Sequence, residues 1–222
     1  MPSSWPKRYN VVALCFCAAF ICYIDRVNIS VASIAMADRF GWSETEKGFV
    51  LSSFFIGYML AMGVAGWVSD RYGAKRVLGL AVVWWSLFTF LTPFAANASF
   101  GILIAVRIAM GIGEAATMPG SYGMFARWVP AQERARSVSL FISGIPIGTL
   151  FGLIVTGWIV AAFGWPAAFY VFGLAGLLWV PFWYFGVYDE PRKHPGISAD
   201  ELAVIGNLAD QRADKPSFPW RA

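Results

Sequence analysis

The sequence predicts an all-α membrane protein, a bundle of six transmembrane helices made of two inverted three-helix repeats. Hydrophobic residues make up 58% of the chain and charged residues 14%, whereas a soluble domain carries about 25% charge. Six apolar runs each reach the roughly 20 residues that a helix needs to cross a bilayer. Helices are expected because they keep every backbone polar group bonded in lipid. An internal match at a fixed shift along the chain supports the repeat.

The apolar runs divide the chain into two parts. A short polar start with Lys7 and Arg8 leads into the first run without a cleavage site, so we expect an uncleaved first helix rather than a signal peptide. Residues 1–187 are predicted to form the six-helix unit, and residues 188–222 a cytoplasmic segment. In that segment Ser198 and Glu201 predict a capping box that opens a short amphipathic helix. The six runs lie at about 11–37, 48–69, 77–97, 100–126, 137–162 and 166–187.

The basic residues predict the orientation. The N-terminus, the second–third loop, the fourth–fifth loop and the tail hold 13 of the 17 Lys and Arg residues. The opposite side holds Arg39 and Lys47, and Arg26 and Arg107 lie within runs. Because positive loops stay inside, both termini are predicted to be cytoplasmic, in a plasma (inner) membrane. The net charge of +4 is therefore attributed to topology, and no nucleic-acid partner is predicted.

The first run contains charges deep in an apolar segment. Within YIDRVNIS, which covers residues 23–30, Asp25 and Arg26 are neighbours and leave the helix about 100° apart. One arrangement directs Arg26 to a cavity and Asp25 to an adjacent helix, with Asn28 continuing the polar side. The alternative is that these residues lie at the membrane edge and extend their polar ends into water. The three cysteines of this run match no zinc or redox spacing and are interpreted as packing residues.

The second run and the loop after it hold further candidates. Tyr58 is either a hydrogen-bonding residue of a cavity or an ordinary packing aromatic. The loop GWVSDRYGAKR combines glycines with an acid and three bases. Its Gly73 permits a backbone conformation closed to other residues, and Asp70 is expected to form charge-assisted bonds at a helix end. The candidate residues of this loop are Gly66, Asp70, Arg71, Gly73, Lys75 and Arg76.

The fourth run carries Arg107 and Glu114. Seven residues make nearly two helical turns, so both side chains leave one face about 10 Å apart along the axis. Gly111 and Gly113 lie between them and remove bulk, so that a backbone or a ligand can approach. A charge near the bilayer centre costs about 2.5–3.5 kcal/mol on insertion scales. The run therefore predicts an internal polar cavity.

The repeat is visible when the chain is shifted by 91 residues. Residues 52–57 and 66–73 then fall on 143–148 and 157–164, with six identities in fourteen positions. Because each copy has three runs, an odd number, the second copy crosses the membrane in the opposite direction. The charged pair Asp70 and Arg71 is present only in the loop of the first copy, which is predicted to be cytoplasmic. In the fifth run the spacing of Gly144, Gly148 and Gly152 fits either close helix packing or a moving interface.

The loop of residues 66–76 resembles the signature loop of the major facilitator superfamily, and LIAVRIAMGIGEA resembles its fourth-helix motif. YIDRVNIS together with Arg107 and Glu114 is similar to the anion:cation symporter branch. The resemblance implies the N-terminal half of the fold and transport of a small organic anion such as a sugar acid or another carboxylate. A C-terminal half would complete the carrier.

The resemblance and the side-chain chemistry together suggest roles. Substrate binding is expected at Arg26, Arg107, Tyr23, Tyr58 and Asn28, because guanidinium groups match carboxylates. Proton coupling is expected at Glu114 and Asp25.

Other interpretations stay open from the sequence. The coupling ion could be sodium instead of a proton. The chain could be a truncated, non-transporting fragment, a half-size protomer that dimerises, or a transporter-like ligand sensor. No nucleophile–base pair, cofactor motif or metal-ligand spacing is present, so the sequence predicts neither an enzyme nor a cofactor or metal.

Overall fold

The architecture comes from a computed structural model that describes residues 5–213, with side-chain surroundings up to residue 206. Six helical segments are long and apolar enough to cross a membrane, and the fourth consists of two helices in sequence. The six predicted runs are thus confirmed, and most of the helices extend past them into polar sequence. The helices are α1 (Lys7–Phe40), α2 (Glu44–Tyr72), α3 (Ala74–Ala98), α4 (Phe100–Glu114), α5 (Thr117–Trp128), α6 (Ala131–Phe163), α7 (Trp165–Gly186) and α8 (Ala199–Ala213), with a 3₁₀ turn at Pro191–Lys193.

The packing of the spans repeats with the sequence. The largest helix contacts join α1 to α6, α2 to α4 and α3 to α7. Under the 91-residue shift α1 corresponds to α4, α2 to α6 and α3 to α7. The contact of α1 with α6 is therefore equivalent to that of α4 with α2, and the contact of α3 with α7 is equivalent to itself. The inverted repeat is a feature of the tertiary structure as well as of the sequence.

Glycines hold the equivalent contacts close. A methyl group on Gly57 of α2 would overlap the carbonyl oxygen of Ile108 in α4. At the equivalent Gly148 of α6 it would lie 2.5 Å from the carbonyl oxygen of Phe20 in α1. Gly144 and Gly152 also face α1, so the stripe in the fifth run serves close packing. Movement at this interface stays a prediction.

The six spans form a series in which each helix packs mainly on the next, in the order α6, α1, α7, α3, α4, α2. The two end helices are the least enclosed. Within the most apolar window of each span, 28% of α2 and 22% of α6 is buried, against 39–50% for the other four. Broad apolar faces of α2 and α6 are consequently left without protein contacts in the described part of the chain.

The segment after α7 is fixed to the start of the bundle. The backbone N–H of Glu201 donates to Ser198 Oγ at 3.2 Å, which is one half of the predicted capping box. The second half is wrong, because the Glu201 carboxylate instead accepts the N–H groups of Lys7 at 3.0 Å and Arg8 at 2.9 Å. Arg8 also pairs with Glu133 at the start of α6 at 2.9 Å. The amphipathic helix predicted after Ser198 corresponds to α8, and its side chains beyond residue 206 lie outside the described surroundings.

Candidate anion and proton site

A buried ion pair joins the first and fourth spans. Arg26 Nη2 of α1 lies 2.9 Å from Glu114 Oε2 at the end of α4, and Arg26 Nε donates to the same oxygen at 3.3 Å. The Glu114 side chain is fully buried, while the Arg26 side chain is 17% exposed. Cys22 Sγ donates to Oε2 as well, at 3.1 Å. Glu114 Oε1 has no hydrogen-bond partner among the described residues. One oxygen thus carries all the observed bonds, and the other is free to hold a proton.

Aromatic rings surround the Arg26 guanidinium. Its Cζ lies 4.6 Å from the ring centre of Tyr23, 4.9 Å from that of Phe54 and 4.9 Å from that of Tyr58. Cation–π contacts at this distance hold a guanidinium without neutralising it. The structure therefore brings Tyr23 and Tyr58, two of the predicted substrate-binding residues, to Arg26, and their role in binding stays a prediction. Tyr58 also stacks on Phe54, which fits the packing role, and its role as a hydrogen-bonding residue of a cavity stays a prediction.

Arg107 is the second cation, and it is enclosed by protein. The residue is 1% exposed, Nη1 lies 3.3 Å from Met110 Sδ, and it forms no ion pair with a described residue. The ring of Phe54 lies 5.3 Å from Arg107 Cζ and so contacts both guanidinium groups. Arg107 therefore faces protein, and the predicted polar cavity around it stays a prediction. A buried guanidinium without a bonded anion is unfavourable, so this position is suited to attract one.

Asp25 and Asn28 occupy a different side of α1 from Arg26. Asp25 is buried beside Trp85 and Thr89 of α3, which matches the arrangement that directs it to an adjacent helix. Neither Asp25 oxygen and neither amide atom of Asn28 has a hydrogen-bond partner in the described chain. Asn28 lies about 60° from Asp25 and about 160° from Arg26 around the helix. No contact joins Asn28 to Arg26 here, and its substrate role stays a prediction.

The fourth span breaks directly after Glu114, where the sequence predicted one continuous helix. Ala115 and Ala116 form a turn between α4 and α5, in which the Ala116 N–H reaches back to the Gly113 carbonyl oxygen at 3.2 Å. Methyl groups on Gly111 and Gly113 would overlap the Phe54 carbonyl oxygen of α2 and the Trp84 ring of α3. The two glycines therefore admit α2 and α3 close to the end of α4 that carries Glu114.

The signature loop is built around a different acid from the one expected. Gly73 has φ +93° and ends α2, as predicted for a conformation closed to other residues. Asp70 is exposed, and no ion pair links it to a described residue. The carboxylate at the start of α3 belongs to Asp189, which accepts the Lys75 N–H at 3.1 Å and contacts Arg127 Nη1 at 3.4 Å. The expected bonding of Asp70 is thus not seen in the described part of the chain.

A family model described as Major Facilitator Superfamily matches residues 15–222. The chain belongs to this superfamily. A solved superfamily structure, the proton:xylose symporter XylE bound to 6-bromo-6-deoxy-D-glucose, superposes with a TM-score of 0.76 at 20% identity, over 92% of this chain and 51% of that one. That likeness supports the fold, and the resemblance of the loop and of the fourth run is confirmed.

Relatives with closer sequences are named as anion transporters. The chain is 40% identical over 217 residues to "Sodium-dependent phosphate transport protein 1, chloroplastic" of Arabidopsis thaliana. The aligned region covers 98% of this chain and 42% of the relative. It is 39% identical over 217 residues to "Ascorbate transporter, chloroplastic" of the same plant, covering 98% of the chain and 40% of the relative. The chain therefore spans about two fifths of the length of these curated relatives. The multi-pass membrane class and the six-helix superfamily fold are established.

Two residues of the site were missed by sequence reasoning. Cys22 was interpreted as a packing residue, although it lies four positions before Arg26 and so on the same helical face. Phe54 lies four positions before Tyr58 in the same way. In each case the spacing was a usable signal, because neighbours at i and i+4 share a partner across a helix interface. Neither residue type by itself indicates a polar site.

Proposed function

We propose that this chain forms one six-helix half of a carrier that moves a small organic anion together with protons by alternating access. The observation that carries the proposal is the buried Arg26–Glu114 pair, with Arg107 in contact with the same aromatic ring, Phe54, as Arg26. Two permanent cations and two titratable acids then share one protein interior. When one acid is protonated, the interior has a net positive charge and attracts an anion.

The coupling follows from competition for Arg26. An anionic substrate that binds this guanidinium withdraws it from Glu114. The carboxylate then loses its stabilising charge and holds a proton more readily. Proton and anion thereby favour each other's binding by the same factor, which is what a symporter requires. Cys22 also donates to Glu114 Oε2, so in this proposal that oxygen keeps one hydrogen bond when Arg26 is withdrawn.

The membrane potential favours the transport of more than one proton with each anion. One negative charge entering a cell at −100 mV costs about 2.3 kcal/mol. One proton cancels this for a monovalent anion, and a second makes uptake electrically favourable. Asp25 is suited to hold the second proton, because it is buried and hydrogen-bonded to no described residue.

A second six-helix half completes the carrier in this proposal. The apolar faces of α2 and α6, the least buried spans, are suited to receive it. The chain is proposed to lie in a plasma (inner) membrane with its termini cytoplasmic, because the basic loops lie on that side. A reporter that works only in the cytoplasm should be active when fused to either terminus. A reporter that works only on the opposite side of the membrane should be inactive at both.

The test is the substitution Glu114→Gln in the chain joined to its second half, assayed in proteoliposomes with sugar acids and other carboxylates. We expect proton-driven accumulation to disappear and counterflow exchange to persist, since exchange needs the anion site alone. Glu44→Gln is the matched control, because Glu44 is exposed and pairs with the neighbouring Lys47. Unchanged accumulation in Glu114→Gln would refute the coupling role.

Sodium coupling is the second candidate, because one relative is named as a sodium-dependent phosphate transport protein. Replacing external sodium by potassium at constant pH separates the two, because proton-coupled uptake persists and sodium-coupled uptake stops. A ligand sensor or a non-transporting fragment would bind the anion with neither gradient driving accumulation.

A further inference from the structure

A groove of about 510 Å³ opens on the surface of the helix bundle where α3 meets α7. The 3₁₀ turn of Pro191–Lys193 closes one end of it. Gly79 has no side chain, so Trp183 packs within 3.0 Å of where a methyl group would lie and donates to the Lys75 carbonyl oxygen at 2.9 Å, which fixes one wall of the groove. Leu80 and Tyr184 at its edges are 69% and 66% exposed on membrane-spanning helices.

The groove lies away from both the candidate site and the faces left for a second half. None of its lining residues comes from α1, α2, α4 or α6. In the series of spans α7 and α3 are the middle pair, whereas the open faces belong to the end helices α2 and α6. The mouth of the groove therefore faces lipid.

Basic groups surround the loop end of the groove. Lys75 Nζ donates to the Tyr184 carbonyl oxygen at 3.0 Å and lies over the rings of Tyr184 and Tyr188. Arg76 is exposed and makes no ion pair with a described residue. Lys193 approaches from the 3₁₀ turn and pairs with the exposed Glu190 at 3.0 Å.

Asp189, the acid among the described residues that line the groove, does not cancel this charge. Asp189 already accepts the Lys75 backbone N–H and contacts Arg127. Lys193 is paired with Glu190 and Asp189 with Arg127, which leaves the charges of Lys75 and Arg76 unbalanced by a described acid. The rim is therefore positive, and the Arg76 guanidinium is its most exposed donor. The interior wall, formed by Leu80, Val83 and Val180, is apolar.

We propose that this groove binds an anionic phospholipid, with an acyl chain along the apolar wall and the phosphate at Arg76, Lys193 and Lys75. A soluble anion would use the rim alone and leave the apolar wall in contact with other lipid. Basic pockets between spans on the positive side of a membrane protein favour such headgroups, with each basic residue contributing about fivefold in binding. The groove lies on the side that holds most of the basic loops.

The experiment titrates the purified chain in detergent with phosphatidylglycerol and phosphatidylcholine of identical acyl chains, and counts bound lipid by native mass spectrometry. We expect phosphatidylglycerol to be retained at least tenfold better. Arg76→Gln and Lys193→Gln should each lower that retention about fivefold, and Arg76→Lys should restore most of it. Leu80→Trp, which fills the groove, should reduce retention of both lipids.

Arg136→Gln is the matched control, because Arg136 is an exposed base at the start of α6 and outside the groove. Equal losses in Arg136→Gln and Arg76→Gln would mean general surface charge and would overturn the proposal. Equal retention of the two lipids would overturn it also. Displacement of phosphatidylglycerol by millimolar inorganic phosphate would show a simple anion site instead of a lipid site.

Discussion

The equivalent glycine contacts give the most direct test of the inverted repeat. Gly57 and Gly63 both lie inside α2, but a methyl group on Gly57 would overlap the Ile108 carbonyl oxygen, whereas one on Gly63 would meet nothing within 4 Å. Gly57→Ala must therefore move α2 away from α4, and Gly63→Ala requires no movement. The same contrast exists in α6, between Gly148 and Gly157.

The magnitude follows from two opposing effects. Replacing glycine by alanine within a helix favours the helix by up to about 1 kcal/mol. Forcing extra atoms into a packed contact costs about 1–3 kcal/mol. The gain in helix propensity is the same for Gly57→Ala and Gly63→Ala, so it cancels when the two variants are compared. Gly57→Ala should therefore have a free energy of unfolding about 1–3 kcal/mol lower than Gly63→Ala.

The assay is thermal unfolding of the purified chain in detergent, followed by intrinsic tryptophan fluorescence. Gly148→Ala and Gly157→Ala should differ in the same direction, because the contact of α6 with α1 repeats that of α2 with α4. If Gly57→Ala were as stable as Gly63→Ala, the close approach of α2 to α4 would be wrong. If only one of the two pairs showed the difference, the packing equivalence would be wrong.

Three further predictions concern single residues. Cys22→Ala removes a hydrogen bond from the buried Glu114 and should lower thermal stability by about 1–3 kcal/mol, while Cys22→Ser keeps a donor and should recover part of it. Gly73→Ala introduces a side chain at φ +93°, 3.2 Å from Asp189 Oδ1, and should destabilise the chain by about 1–2 kcal/mol, whereas Gly66→Ala, with open space around it, should not. Burial, with the nearby Lys7 ammonium, lowers the pKa of His194 below its ordinary value, so its contribution to stability is present above about pH 6.5 and falls as the pH drops below it. Thermal unfolding at pH 5 and 8 should show that loss in the parent chain and a smaller one in His194→Gln, and an equal loss in both would refute the role of His194.

Much of the fold could be predicted from local pattern. Six apolar runs gave six spans, and the 91-residue match gave the pairing of equivalent helices, because length, hydropathy and repetition are properties of the chain itself. The same pattern predicted that Arg107 and Glu114 face protein or water rather than lipid, but the choice of protein, and the burial of Asp25, came from the structure.

The choice of partners could not be predicted in this way. Glu114 pairs with Arg26 of α1, 88 residues earlier in the chain, and Asp189 occupies the position at α3 that was expected for Asp70. Such pairs depend on how closely two helices approach, which small residues such as Gly111 set through contacts distant in sequence.

The sequence by itself determined that the chain is a six-span membrane protein of repeated design with acids and arginines inside it. Only the tertiary structure decided that Glu114 bonds through one oxygen to both Arg26 and Cys22, that Phe54 contacts both arginines, and that the fourth span breaks at Ala115. The physical reason is the distance along the chain over which each property is determined. Hydropathy acts residue by residue along the chain, whereas hydrogen bonds and cation–π contacts form within a few ångströms between segments that only packing brings together.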